Sequence, residues 1–429
     1  MTATTTSTAT DELVVRPAGP LRGAVVVNGA KNSALKLMAA TVLAPGRSRL
    51  RNLPAIADVP VMADLLRGVG VDVDLDAATG SATLDASGPL EPAPPAEAVR
   101  AIRASISTLG ALVGRCGWAE LALPGGDNIG ARSIDLHLRG LQAMGAEVSW
   151  DGPVVRVEAP DLHGAHVRLA FPSVGATENL LMAAVLAEGT TTIENAAREP
   201  EVQDLCRMLR QMGAAVRGVG SPTLVVDGVQ RLRPAEWSTC PDRIEAGTFA
   251  AMAGLTGGDV LLERVRARDL DLPLEKLAAM GVRVDPSPRG LRVRALDGLS
   301  PVAVQTLPYP GFPTDLQPQF LVLLTQAAGV GRVTENVFEA RFAFIEGLRR
   351  MGADVVVEGH HAIVRGPTPL HGAVLEGLDV RAGVAGIMAG MVASGETVVR
   401  DPHHVDRGYA DVVTRLRQLG ADVERRAST

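Results

Sequence analysis

The sequence predicts an α/β protein of two domains, assembled from six copies of one unit and divided three to a domain. Three observations lead there: a motif that recurs at near-constant spacing, a helix, glycine and strand signature inside every copy, and a length of 429 residues with 46 % apolar content. Single hydrophobic cores stop growing near roughly 250–300 residues, so a chain this long divides.

The recurring motif is Leu-x-x-φ-Gly-φ-x-Val, where φ is apolar. It reads LRGVGVDV from Leu66, LQAMGAEV from Leu141, LRQMGAAV from Leu209, LAAMGVRV from Leu277, LRRMGADV from Leu348 and LRQLGADV from Leu416. The glycines Gly70, Gly145, Gly213, Gly281, Gly352 and Gly420 are separated by 75, 68, 68, 71 and 68 residues, which marks a structural repeat. Each copy is explained by an amphipathic helix that ends at a glycine in the left-handed cap conformation and passes into an alternating strand. A second landmark precedes it, an Ala- and Leu-rich helix running into a glycine and a strand, as in ALKLMAATVLAPGRSRL, TENLLMAAVLAEGTTTI, GTFAAMAGLTGGDVLL and AGVAGIMAGMVASGETVV. A unit of about seventy residues therefore holds two helices and several strands. Periodicity breaks near residues 28–31 and at RPAEWSTCPD, residues 233–242, the two places where the chain is expected to cross between domains. On repeats alone, a scaffold without chemistry is the plain alternative.

Composition excludes several classes. Aromatics are 3 % and the net charge is −6, so no basic, aromatic-studded surface for nucleic acid is expected. Cys116, Cys206 and Cys240 are far apart and odd in number, which argues against a disulfide framework or a structural zinc site and fits a reducing cytoplasm. The opening MTATTTSTATDE lacks the basic and apolar regions of a secretory signal, and residues 1–12 are expected to form a disordered tail. Apolar stretches fall short of the roughly 18–20 residues that span a bilayer, so no membrane insertion is expected.

Candidate chemistry lies in residues the repeat does not require. Cations are almost all Arg, and lysine survives only at Lys31, Lys36 and Lys276. Lys31 stands in GAKNSALKL between a strand and a helix start, where an ammonium and the helix terminus together suit a phosphate or carboxylate; an ordinary solvated lysine is the plain alternative. Arg103, Arg132, Arg341, Arg381 and Arg407 occupy similar junctions and would jointly match a strongly anionic substrate, although each singly reads as a surface ion pair. LPGGDNIGARSID, residues 123–135, combines glycines with Asp127 and Arg132 and has the composition of a lid, or of a tight turn. Asp315 in FPTDLQPQF precedes a helix, where an acid is more often a cap than a base.

The segments GAKNSAL, LPGGDNIGAR, PSVGATENLLMAAVLAEGTTTIENAAREPE, PDRIEAGTF, FPTDLQPQF, ENVFEARF and VDRGY resemble, in order and over nearly the whole chain, the enolpyruvyl transferases that act on UDP-N-acetylglucosamine, relatives of the shikimate-pathway enzyme. The resemblance implies two inside-out α/β barrels with helices inward and strands outward. It divides the chain into 31–241, carrying the lid, and 13–30 plus 242–429, with a first strand at about 12–28 joining the latter. It also implies phosphoenolpyruvate and UDP-N-acetylglucosamine as substrates, no metal or organic cofactor, and a role in opening peptidoglycan synthesis. Lys31 and Asn32 would contact phosphoenolpyruvate and the sugar. Arg132 and Arg407 would hold phosphate and carboxylate, with Arg103 and Arg341 completing the cationic cleft. Arg132, Ser133, Ile134, Asp135, Leu136 and His137, then Ser173, Val174, Gly175 and Val337, would line the UDP-sugar. Asp379 and Arg381 would close near the reacting carbons, and Asp315 would accept the proton of the sugar 3-hydroxyl.

The sequence departs from that pattern at the lid, where most of the family has cysteine and this chain has Asp127. A carboxylic acid still donates a proton if burial raises its pKa, but the thiolate that fosfomycin alkylates is gone, and insensitivity to that drug is expected. Ser133 replaces a usual proline and Pro172 precedes SVGAT where some members have lysine, so another acceptor, a nucleoside or shikimate phosphate, is the second reading. A silent UDP-sugar-binding protein is the third.

Overall fold

The computed structural model describes residues 11–427 apart from 128, 296 and 297, so the first ten residues of the expected tail lie outside the described residues. Among the described residues, six small sheets surround two sets of buried helices. The six Ala- and Leu-rich helices, Lys31–Ala40, Ser107–Cys116, Val174–Ala184, Arg243–Leu255, Gln317–Thr325 and Val380–Val392, are buried on nearly every side. Helices apolar all round pack inside, and here they fill the centre of each half. The amphipathic helices, among them Asp58–Gly68 and Pro200–Met212, lie further out and end at the repeat glycines, whose φ runs from 93° at Gly145 to 107° at Gly213. After Gly70, Gly145, Gly213, Gly352 and Gly420 the next amide donates back to the carbonyl of Leu66, Leu141, Leu209, Leu348 and Leu416 at 2.9–3.0 Å. That is the Schellman bond, and it gives the Leu-x-x-φ-Gly spacing its physical cause.

Two apolar cores result. One gathers residues from Ala34 to Ala235 together with Ala410, the other residues from Leu13 to Val27 and from Ile244 to Val423. The strand Glu236–Ser238 returns to lie parallel to Arg47–Arg51 and closes the ring around the first core. The N-terminal segment closes the second, and here the single strand expected at 12–28 is corrected to two. Asp11–Val15 inserts antiparallel between Thr397–Arg400 and Val423–Ala427, while Arg22–Val26 runs parallel to Asp259–Glu263 in another sheet. Asp11 and Glu12, expected in the tail, are strand residues, because both neighbouring strands offer ladder partners that a propensity reading of Thr-rich sequence cannot see. Among the described residues, no helix is long and apolar enough to cross a membrane.

Candidate active site

The two halves are shut against one another. Ala57 donates to the carbonyl of Asp406 at 3.0 Å, Ala340 to that of Ile129 at 3.3 Å, and the amide of Ala131 to Glu339 at 2.7 Å. The glycine-rich segment 123–135 thus reaches from the first core onto the second.

Where it lands, charges converge. Helix Lys31–Ala40 opens without a capping side chain, and the Lys31 amide donates instead to Asp242 Oδ2 at 3.1 Å, which orients the helix start. The Lys31 ammonium lies 2.9 Å from Asp58 Oδ2, and Arg407 Nε donates to Asp58 Oδ1 at 2.8 Å. Arg407 Nη1 also reaches Asp127 Oδ1 at 2.6 Å, and His404 stands 3.7 Å from the same oxygen. Lys31 is therefore no solvated lysine; burial pulls its pKa down against the raising effect of Asp58.

Asp127 does not meet the expectation of a carboxyl raised by burial. Burial does push it up, but the neighbouring His404 imidazole and the charges of Arg407 and Lys31 outweigh that and hold it well below the ordinary carboxylate range. With the cleft shut in this way Asp127 is an anion.

A third carboxylate sits beside this cluster. Asp315 lies in the short turn Thr314–Leu316 ahead of helix Gln317–Thr325 and caps nothing there; it accepts from Arg341 at 2.7 Å and from Arg381 at 2.9 Å. Burial opposes its ionisation, yet the Arg381 and Arg341 charges keep it well below the usual range. Arg381 is braced in turn by Tyr409 Oη at 3.1 Å, and Tyr409 by Thr248 at 2.9 Å. Arg132 and Arg341 both stack on Phe338, each 5.9 Å from the ring centre, and Arg132 feels the charges of both Asp127 and Asp315. Lys31, Arg132, Arg341, Arg381, Arg407, Asp127 and Asp315, spread over the sequence, thus share one region between the cores.

Other expected residues take more particular places. Arg103 does not project freely; it donates to the carbonyl of Pro124 at 3.3 Å and to that of Arg132, bracing the lid from behind. With Leu123, Arg132, Ser133, Ile134 and Asp135 it also lines a cavity of about 610 Å³. Asp379 caps helix Val380–Val392 by accepting from the amides of Arg381 and Ala382. Asp135 begins helix Asp135–Ala143, half-exposed and 3.7 Å from Arg139, with Leu136 half-buried beside it. Asn32 and Val337 are half-buried, and the Val337 amide donates to Glu335 at 2.8 Å. Ser173 caps helix Val174–Ala184, so that Val174 and Gly175 form its first turn.

His137 faces that turn, with ring atoms within 3.4 Å of where a Gly175 side chain would begin. Its tautomer follows from its neighbour. Asn179 Oδ1 accepts from the Gly110 amide at 2.6 Å, so its NH2 group donates to the Ile106 carbonyl at 2.9 Å and to His137 Nδ1 at 2.6 Å. Nε2 therefore carries the proton and points toward Gly175. Burial, with help from Arg103, lowers His137 to about 4, so the ring is neutral near neutrality.

Asp58, His404, Asn179 and Glu339 escaped the sequence reading. Asp58 heads a helix, where an acid is the ordinary partner of the helix dipole, and its link to Arg407 spans 349 residues. No local signal distinguishes the two roles.

Residues 15–425 match the model of the family described as EPSP synthase (3-phosphoshikimate 1-carboxyvinyltransferase). The chain is 49 % identical to the UDP-N-acetylglucosamine 1-carboxyvinyltransferase of Corynebacterium jeikeium, over 97 % of this chain and 99 % of that one. It is 50 % identical to the protein of the same name from Mycobacterium tuberculosis, again over 97 % and 99 %. Among solved structures it resembles the enolpyruvyl transferase NikO from Streptomyces tendae, with a TM-score of 0.89 and 28 % identity over 98 % of this chain and all of that one. An EPSP synthase from Acinetobacter baumannii shares the fold, with a TM-score of 0.74 and 20 % identity over 97 % of this chain and 100 % of that one.

Proposed function

The chain belongs to the EPSP synthase family, and from that premise we propose that it transfers the enolpyruvyl group of phosphoenolpyruvate to the 3-hydroxyl of UDP-N-acetylglucosamine, releasing phosphate. It is a transferase with the two-domain fold of that family. The observation that carries the acceptor is the pair of full-length relatives at 49–50 % identity, both named for this reaction. The converging cations supply the physical rationale, because a substrate bearing a phosphate and a carboxylate next to a nucleotide diphosphate needs several fixed positive charges.

The proposed chemistry balances as addition followed by elimination. C3 of phosphoenolpyruvate gains a proton while the sugar oxygen attacks C2 and its hydroxyl proton passes to Asp315. From the resulting ketal, C3 loses a proton and the bond from C2 to the phosphate oxygen breaks. Arg132, Arg407 and Lys31 hold the anionic groups. Asp58 pairs with Lys31 and Arg407, and Asp127 with Arg407. When a phosphate engages Arg407, it offsets one of the charges that hold Asp127 ionised and sets an anion beside it, and both changes raise its pKa toward that of a proton donor. In this reading His137, neutral with Nε2–H directed at the start of helix Val174–Ala184, would donate to the UDP-sugar.

We further assign the product to the opening of peptidoglycan synthesis and the reaction to the cytoplasm, where both substrates are made and free thiols stay reduced. The test is phosphate release from phosphoenolpyruvate with UDP-N-acetylglucosamine, shikimate 3-phosphate or no acceptor. Release with the nucleotide sugar alone is expected. Release only with shikimate 3-phosphate would overturn the acceptor, and none with any would overturn the activity.

A further inference from the structure

Lys36 is one of three lysines in the chain, and it is turned inward, 9 % exposed, one turn into the helix that begins with Lys31 and Asn32. Its ammonium donates to the carbonyl of Asn32 at 2.9 Å and stands 3.4 Å from Oε2 of Glu178. Glu178 belongs to helix Val174–Ala184, whose first turn follows Ser173. It is fully buried, and neither of its oxygens accepts a geometrically sound hydrogen bond from a described residue. Its neighbours in sequence are bound elsewhere, Thr177 to the Ala197 amide at 3.0 Å and Asn179 to Gly110, Ile106 and His137. Glu199 and Glu201 add like charge from nearby, so Lys36 is the cation that compensates Glu178.

Such a pair is poor value for stability alone. Replacing a buried ion pair by apolar side chains of similar size is often neutral or stabilising, whereas removing one partner is strongly destabilising. What the pair does supply is a directional tie. It joins the first turn of the Lys31 helix, through the Asn32 carbonyl, to the helix that presents Ser173, Val174 and Gly175.

We propose that Lys36 is a positioning residue, paired with Glu178, that sets the Lys31 and Asn32 end of the site against the Ser173 to Gly175 end. The proposal rests on the reaction proposed above, since it concerns how the enol phosphate meets the acceptor. Burial pushes Glu178 up to about 7 against the lowering effect of Lys36, so the pair is ionic on the alkaline side of neutrality and the assay belongs near pH 8.

The experiment compares wild type, Lys36→Met, Glu178→Gln and the double variant Lys36→Met/Glu178→Leu by kcat, by KM for each substrate and by melting temperature. Wild-type turnover, run in parallel, tests the reaction itself; its absence refutes the activity, while ratios of variant to wild type test Lys36. Lys36→Met should melt lower and lose on the order of tenfold to a hundredfold in kcat, the scale of a small misplacement of reacting groups. The double variant should regain the wild-type melting temperature, but its kcat should stay down by roughly tenfold or more, with KM for UDP-N-acetylglucosamine within about twofold of wild type. Glu178→Gln, nearly isosteric, should lose several-fold in kcat and so keeps the test alive if the double variant does not fold. Wild-type kcat in the double variant, or in Glu178→Gln, would reduce the pair to packing and overturn the proposal.

Discussion

The Lys31 ammonium rests 2.9 Å from Asp58, a carboxylate whose other oxygen is taken by Arg407 at 2.8 Å. One acid from the first core therefore neutralises a cation of its own core and one of the other. Asp58→Asn leaves Lys31 without its carboxylate and Arg407 with Asp127 alone. Since breaking a buried pair costs about 3–5 kcal/mol, its melting temperature should fall by several degrees. Inorganic phosphate should bind more tightly, as the freed cations accept an anion, while kcat falls at least about tenfold. Calorimetry of phosphate binding decides the point, and weaker binding would show that Asp58 organises the site without competing for it.

Asp127 takes the lid position, and no reactive thiol replaces it. Burial pushes Cys206 up to about 12 and raises Cys116 and Cys240 as well. Wild-type protein incubated with fosfomycin and phosphoenolpyruvate should show no covalent adduct by intact-mass measurement. Asp127→Cys should keep turnover, gain the adduct and lose activity with time; a stable, unmodified variant would show that residue 127 does not face the site.

Docking of the lid passes through Gly130, which has φ of 127° and whose hypothetical Cβ would lie 2.6 Å from Glu339 Oε2. Gly130→Ala meets both a backbone penalty and a displaced Glu339. Turnover should drop by roughly tenfold or more with little change in melting temperature, because Gly130 and the residues beside it lie outside both cores. Wild-type kcat in this variant would mean that the closed lid is not the productive one.

His137 is neutral above about 4, so KM for the UDP-sugar should show no imidazole titration between about pH 5 and 8. The sign follows from the lowered folded value: protonation costs affinity only as pH falls toward 4. His137→Ala should raise that KM about tenfold or more across the whole range, and a wild-type inflection near pH 6.5 would contradict the neutral, buried ring.

Among the repeat glycines, Gly213 has open space where a Cβ would go, whereas at Gly70 a Cβ would stand 2.6 Å from the Pro89 carbonyl oxygen. Gly213→Ala should cost about 1 kcal/mol of unfolding free energy, for the left-handed backbone alone. Gly70→Ala should cost clearly more in the same denaturant titration, and equal losses would remove packing from the account.

Much of the fold was legible because its signals are short-range. Each Leu-x-x-φ-Gly stretch carries its own helix end, and six such ends count the units. Lys31 and Asp127 stood out against an Arg-rich composition and a glycine-rich loop. Asp58 and His404 did not, since Arg407 and Asp127, which they meet, lie across the cleft; the Arg407 contact to Asp127 spans 280 residues. The N-terminal segment is a related case, because Asp11 is a strand residue only through Ala427 and its neighbours.

By itself, then, the sequence determined the repeat, the inward and outward helices and the acids and bases held in reserve, all properties of periodicity and of single-residue backbone preference. Tertiary structure alone decided which charges share an oxygen, that Asp127 is an anion with the cleft shut, and that His137 bears its proton on Nε2. Those outcomes depend on two rings closing through distant strands and docking face to face, where burial and opposing charges act over a few ångströms that no spacing in the chain records.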